Sequence, residues 1–285
     1  MDAMYNLRPV AQSRPVAQPQ PAGGPPPSTE ATGRASAGLF SLLLIAGMVA
    51  CGFLIPPGWN FIGIFVLMFV FMLLLGVLIS KRPMGILINQ RNLMSLSRFQ
   101  MALWTLVILS AFLAIGLERI KNNNPPNYNP LDIALDPNLW ALMGISTASL
   151  VGSPLILSTK QNKDPDPSVL PRVALSLKEP AVEINNNRQG TLYANKGIVD
   201  ARFTDMFEGD ELSNTDHIDL AKVQMFFFTI VTVVGYAAGL FQTICATQPA
   251  NLNKFPGLSP GFVALLGISH AGYLTSKSVD HTPTD

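Results

Sequence analysis

The sequence predicts an all-α polytopic membrane protein, with six transmembrane helices, a parallel internal repeat of helix hairpins and a small mixed α/β cytosolic insert. Three observations carry that expectation. The chain is 48% hydrophobic and only 13% charged, against about 25% charged in soluble domains. That is too little charge to clothe a water-facing surface. The charges are also segregated, because the stretches 37–55, 59–80, 99–117, 138–159, 223–244 and 256–276 contain no Asp, Glu, Lys or Arg. Finally, the last two of these stretches repeat the two before them.

Each stretch has the length, about 20 helical residues, that crosses a hydrocarbon core of about 30 Å. Lipid offers no partners for backbone N–H and C=O groups, so each is expected to be helical. Residues 1–36 hold seven prolines and a direct repeat, Arg8-Pro9-Val10-Ala11-Gln12 and Arg14-Pro15-Val16-Ala17-Gln18. They read as a disordered, Pro-rich cytosolic tail with too few apolar side chains to build a core. No basic run directly precedes the first span, so that span is not read as a cleavable signal peptide.

Basic residues set the orientation. With the N-terminus inside, segments 1–36, 81–98, 160–222 and the C-terminal tail hold 16 Lys and Arg, and the outer loops hold 3. The short 81–98 loop, with Lys81, Arg82, Arg91 and Arg98, votes most clearly. Trp59 and Trp140 fall at outer helix ends, where indoles favour the interface. The expected location is a plasma or bacterial inner membrane, with both termini cytosolic. Spans one to four occupy 37–159, spans five and six 223–276, and a short tail 277–285.

The repeat aligns the run from Gln100 to Val107 with the run from Gln224 to Val231, and the run from Ala141 to Ala148 with that from Ala264 to Ala271. Both units start inside, so the relation is a parallel one, about an axis along the membrane normal. Gly144, Ala148 and Gly152 recur every four residues, as do Gly267 and Ala271. Such small-residue stripes let helix backbones approach in lipid, so these five are expected at helix contacts. Pro154 is expected to kink span four.

In the insert, 160–222, Val173, Leu175 and Leu177 alternate, as do Val182 and Ile184. A turn-rich 185–190 leads to Thr191-Leu192-Tyr193, so a small β-hairpin or meander is expected. The stretch 200–219 carries seven carboxylates and one base, Arg202. Its pattern does not fit a calcium loop, because Phe207 stands two positions after Asp205. Phe203, Met206 and Phe207 share one helical face and are the candidate partner-docking residues.

Motifs for chemistry are sparse. Cys51 and Cys245 are the only cysteines, which excludes a disulfide scaffold and a thiolate zinc module. Gly257-Leu258-Ser259-Pro260-Gly261 matches G-x-S-x-G, but Pro260 has no N–H to give an oxyanion hole. His270 is the one His, Lys, Arg, Asp or Glu inside a span, and such residues are functional candidates. Gln100, Thr105, Ser146, Gln224, Thr229 and His270 form the candidate intramembrane polar site. Gly144-Ile145-Ser146 in span four and His270-Ala271-Gly272 in span six resemble rhomboid-family intramembrane serine proteases, which pair a Ser and a His in those spans. The resemblance implies Ser146 as nucleophile and His270 as base. This chain has Gly144-Ile145-Ser146-Thr147 where the family has G-x-S-G, and it lacks the family's His/Asn pair in span two.

The expected function is therefore non-enzymatic. The chain reads as a membrane anchor or assembly subunit whose insert and tail meet cytosolic partners. An oligomeric channel lined by Thr105, Ser110, Thr229, Thr232 and His270 is the alternative, and a rhomboid-like protease the third. No cofactor, metal or catalytic group is expected. Expected partners are the lipid bilayer and a cytosolic protein or a second copy of the chain. A net charge of +1 does not suggest nucleic acid.

Overall fold

The computed structural model describes residues 27–122 and 129–284, with side chains from residue 36 onward. The direct repeat and most prolines of the expected tail lie outside the described residues. The remainder of that segment, 27–36, is helical and belongs to the first helix. The chain divides into two compact units, Met1–Leu39 and Phe40–Asp285. The described part of the first is helical; all geometry below belongs to the second.

Among the described residues there are eight α-helices and isolated β-bridges but no strand. They are α1 (Pro27–Leu54), α2 (Trp59–Ser80), α3 (Leu96–Lys121), α4 (Pro137–Ser158), α5 (Val169–Leu177), α6 (Ala181–Asn187), α7 (Leu220–Ala246) and α8 (Pro260–Ser278). Five of them, α1 over Ser36–Leu54, α2, α3, α4 and α7, are long and apolar enough to cross a membrane. The described chain is accordingly all-helical with five candidate membrane-spanning helices, which is consistent with a helical membrane protein. Its outer surface fits that setting: Leu42, Val66, Leu109, Val151, Val231 and Ile268 are all exposed.

Helix starts follow local chemistry. Asp136 caps α4 by accepting from Asn138 N, with Pro137 at the first helical position. Asp219 caps α7 by accepting from Ala221 N and Lys222 N. Ser259 caps α8 by accepting from Phe262 N, with Pro260 next. The G-x-S-x-G match is thus a helix start.

The insert corrects one expectation. No hairpin forms at 173–184; α5 and α6 stand there. The apolar residues Val169, Leu170, Val173, Ala174 and Leu177 follow the helical period and form one packed face, while Leu175 is 82% exposed. The alternation at 173, 175 and 177 is a subset of that pattern. Lys178, left-handed at φ 57°, ends α5, and Pro180 precedes α6. Gly190 has φ 63°, and a Cβ there would meet Lys160 O at 2.3 Å, so the turn after α6 requires glycine.

The main core gathers Phe61 and Ile64 of α2, Trp104, Ile108 and Ala111 of α3, Val233 and Leu240 of α7 and Leu266 of α8. α3 is the central element, with most of its length buried, whereas α1 and α2 are largely exposed. Gln100 meets Thr229 and Trp104 meets Tyr236, so α3 and α7 run in the same direction. Ser149 meets His270 and Ser153 meets Tyr273, so α4 and α8 also run together.

Candidate functional site

A buried ionic cluster joins the insert to the helix ends. The loop 81–95 folds back on itself through Asn89, whose Oδ1 accepts from Arg91 N and Leu93 N, and through Asn92 at φ 58°. This turn presents Arg91 to the insert. Arg91 Nη1 donates to Tyr193 O at 3.0 Å and Asp210 O at 2.8 Å, and Nη2 pairs with Asp210 Oδ1. Asp210 Oδ2 lies 2.5 Å from Lys277 Nζ, in the last turn of α8, and 3.1 Å from Lys222 Nζ, in the first turn of α7. Lys222 Nζ also donates to Glu208 O. Burial by itself raises the Asp210 carboxyl, but Lys222, Lys277 and Arg91 hold it well below the usual carboxylate range.

Three cations on one carboxylate leave two positive charges without a carboxylate of their own in a buried cluster. An uncompensated buried charge costs several kcal/mol. The excess faces a chamber. A cavity of about 790 Å³ is lined by these four side chains together with Arg98 and Asp205. Its walls continue along Met101, Ala102 and Thr105 of α3 and Leu150, Pro154 and Leu157 of α4. The chamber thus carries four cationic and two anionic side chains. Asp205 is largely buried, and its Oδ2 accepts from Met94 N at 3.0 Å and Arg202 N at 2.9 Å. Burial raises its carboxyl above the usual range, and those two backbone N–H groups oppose the rise. Arg98 makes no hydrogen bond or ion pair among the described residues.

A second buried pair does not face the chamber's excess. Lys160 Nζ lies 2.6 Å from Glu211 Oε1 and 2.5 Å from Val279 O. The Glu211 carboxylate also accepts from His281 N and Thr282 N. Every charge there has its partner, so this pair ties the C-terminal segment to the insert. Arg82 adds another tie, donating through Nη1 to the carbonyls of Ile198, Val199 and Ala201.

The sequence-predicted polar site comes together only in part. Gln100, Thr229 and His270 meet between α3, α7 and α8. Gln100 Nε2 donates to Thr229 Oγ1, which itself donates to Met225 O at 2.8 Å. Gln100 Nε2 lies 3.4 Å from His270 Nε2, and His270 Nδ1 lies 2.6 Å from Ser149 Oγ. With the Gln100 amide in this orientation, His270 accepts at Nε2 and its Nδ1 faces the Ser149 hydroxyl. Thr105 is half-buried and lines the chamber. Gln224 is exposed, away from this group. Ser146 is buried, but the serine bonded to His270 is Ser149. Neither Ser149 nor His270 lines the chamber.

Of the five small residues expected at helix contacts, Gly152 and Gly267 face the neighbouring helix and the other three do not. Gly144 has nothing within 4 Å of the point a Cβ would occupy, and Ala148 and Ala271 are exposed. Gly267 and Gly152 make ordinary contacts, with Ile145 at 3.7 Å and Leu274 at 3.6 Å. The α4–α8 contact also runs through Ser146, Ser149 and Ser153 against Ser269, His270 and Tyr273, all buried. The aromatic stripe is likewise internal in part. Met206 is buried beside Met94, Leu96, Met225 and Tyr273. Phe203 and Phe207 stand edge-on to Phe226 of α7, with centroids 6.2 and 5.1 Å away.

Sequence reasoning missed Asp210, Arg91, Lys222 and Lys277 as a group. Their available signal was position. Both lysines flank apolar spans directly, and the acidic stretch lies in the same insert.

No family model matches the chain, and no curated protein or solved structure matches it.

Proposed function

We propose that this is a non-enzymatic membrane protein of six spans whose chamber, on the cytosolic side, holds an anionic ligand of the phosphate or carboxylate class. The observation that carries this reading is the excess of buried cationic charge on the chamber wall, with Arg98 unpaired beside it. A ligand anion would supply the missing counter-charge through charge-assisted hydrogen bonds.

α8 supports a sixth span. Its 19 residues extend about 28 Å at 1.5 Å per residue, and it lies along both α4 and α7. The shared directions of α3 with α7 and of α4 with α8 support the parallel repeat. The basic loop 81–98 and the basic residues of the insert support a cytosolic chamber.

Thermal unfolding of the detergent-purified chain tests the reading. Either inorganic phosphate or phosphatidylglycerol should raise the unfolding temperature at constant ionic strength, and Arg98→Gln should reduce the rise. If neither anion stabilises the protein, the chamber is not an anion site.

An assembly role is a second reading, favoured by one observation. Leu175 and Val182 on α5 and α6 are 82% and 70% exposed. Apolar side chains in that position suit a protein partner of the insert.

A further inference from the structure

We infer that the ligand is an anionic phospholipid, which enters from the adjoining leaflet with its phosphate at the cationic side chains and an acyl chain between α3 and α4. The inference rests on the anion-binding reading and names the ligand's class. Four observations lead to it.

The chamber lining has two chemistries. Arg91, Arg98, Lys222 and Lys277 come from the 81–95 loop and from helix ends, and Met101, Ala102, Leu150 and Pro154 come from positions further into α3 and α4. A free phosphate would use only the first. An amphiphile uses both.

Depth points the same way. The wall follows α3 from Leu96 to Thr105. Nine residues of helix rise about 14 Å, roughly half the thickness of the hydrocarbon core. A pocket that starts at the helix ends and reaches that depth matches a lipid in place.

The apolar lining also borders the lipid-facing surface. Val151 and Leu155 line the chamber, and both are more than half exposed. A chain can pass between α3 and α4 without crossing the polar insert. Pro154 sits at this wall inside α4. It has no N–H to give to the carbonyl of Leu150, which also lines the chamber, so the α4 ladder is broken there.

Charge completes the match. A phospholipid phosphodiester carries one negative charge and would offset part of the excess of two positive charges. Lysines and arginines at this level are also those that attract anionic headgroups in general.

The experiment uses the full chain reconstituted in phosphatidylcholine nanodiscs, with and without phosphatidylglycerol, and a photoreactive phosphatidylglycerol with a diazirine in its acyl chain. Wild-type protein should retain phosphatidylglycerol through purification, and cross-links should fall on peptides containing Met101 to Thr105 or Leu150 to Leu155. Arg98→Gln should weaken phosphatidylglycerol binding about tenfold, the loss expected for one charge-assisted bond. Ala102→Phe should fill the apolar part and displace the lipid while leaving inorganic phosphate binding in place. If Ala102→Phe does not fold, the cross-link map of the wild-type protein decides. Cross-links spread evenly over the exposed helix faces would overturn the lipid assignment. So would inorganic phosphate stabilising the protein as well as phosphatidylglycerol, although the anion-binding reading would then stand. Binding of neither would remove both.

Discussion

Lys277 Nζ lies 2.5 Å from Asp210 Oδ2, so the last turn of α8 is ionically joined to the insert that precedes α7. The same carboxylate also takes Lys222 and Arg91. One side chain thereby holds α7, α8 and the 81–95 loop together.

Removing that carboxylate should be worse than removing one of its cations. Asp210→Asn leaves three buried cations without a counter-charge and should cost about 3–5 kcal/mol. Lys277→Met leaves Asp210 with two partners and should cost clearly less. Unfolding midpoints of the two variants in the same detergent check the order, and the reverse order would refute the central role of Asp210.

The cluster also sets an acid limit. The folded Asp210 carboxyl is held well below its unfolded value near 3.8. Its contribution is therefore present above that value and lost as pH falls through the depressed folded value. Asp205 acts with the opposite sign, because its carboxyl is raised by burial. Its effect on stability declines as pH rises from about 3.8 through the raised value. Scans of unfolding temperature against pH should show Asp210→Asn removing the loss below about pH 4, and Asp205→Asn removing the decline above it.

Gly144 and Ser149 separate two accounts of the α4–α8 contact. Gly144 has open space around it, so Gly144→Leu should change stability by no more than about 0.5 kcal/mol. Ser149 is fully buried against His270, so Ser149→Leu should cost about 1–3 kcal/mol by overpacking. Equal sensitivity of the two sites would mean that Gly144 is covered by another copy of the chain.

Phe207 and Leu175 make a similar contrast in the insert. Phe203→Ser with Phe207→Ser removes contacts with Phe226 and should lower the unfolding midpoint. Leu175→Ser with Val182→Ser touches side chains that are mostly exposed and should leave the midpoint unchanged. If the insert docks a protein, the second pair should abolish partner recovery from mild detergent.

Orientation is tested by single cysteines in a variant lacking Cys51 and Cys245. Lys178→Cys, in the insert, should react only with membrane-permeant reagents in intact cells. Asn251→Cys, between α7 and α8, should react with impermeant ones. Neither position is buried. The opposite pattern would put the chamber on the outer side.

The long apolar helices and their positions were legible in the sequence, because a helix satisfies its own backbone hydrogen bonds, a local condition that an uncharged run of about 20 residues reveals. The starts of α4, α7 and α8 were legible in principle for the same reason: Asp136, Asp219 and Ser259 cap within three residues of themselves. Which face of a span meets its neighbour was not legible. In α4 both faces are uncharged, so the pattern of Gly144 and Ala148 and the pattern of Ser146, Ser149 and Ser153 each describe a credible contact stripe. Packing against α8 selected the serines. The helices of the insert were hidden because 173, 175 and 177 satisfy a period of two within a longer run of period 3.6. The chamber was the least legible part. Arg91, Asp210, Lys222 and Lys277 are far apart in the chain and have no common motif, and their meaning comes from the count of charges around one carboxylate. Local chemistry wrote the spans into the sequence, whereas the ionic cluster exists only where two helix ends, the 81–95 loop and the insert converge, since a charge acquires its counter-charge through distance in space and not through spacing along the chain.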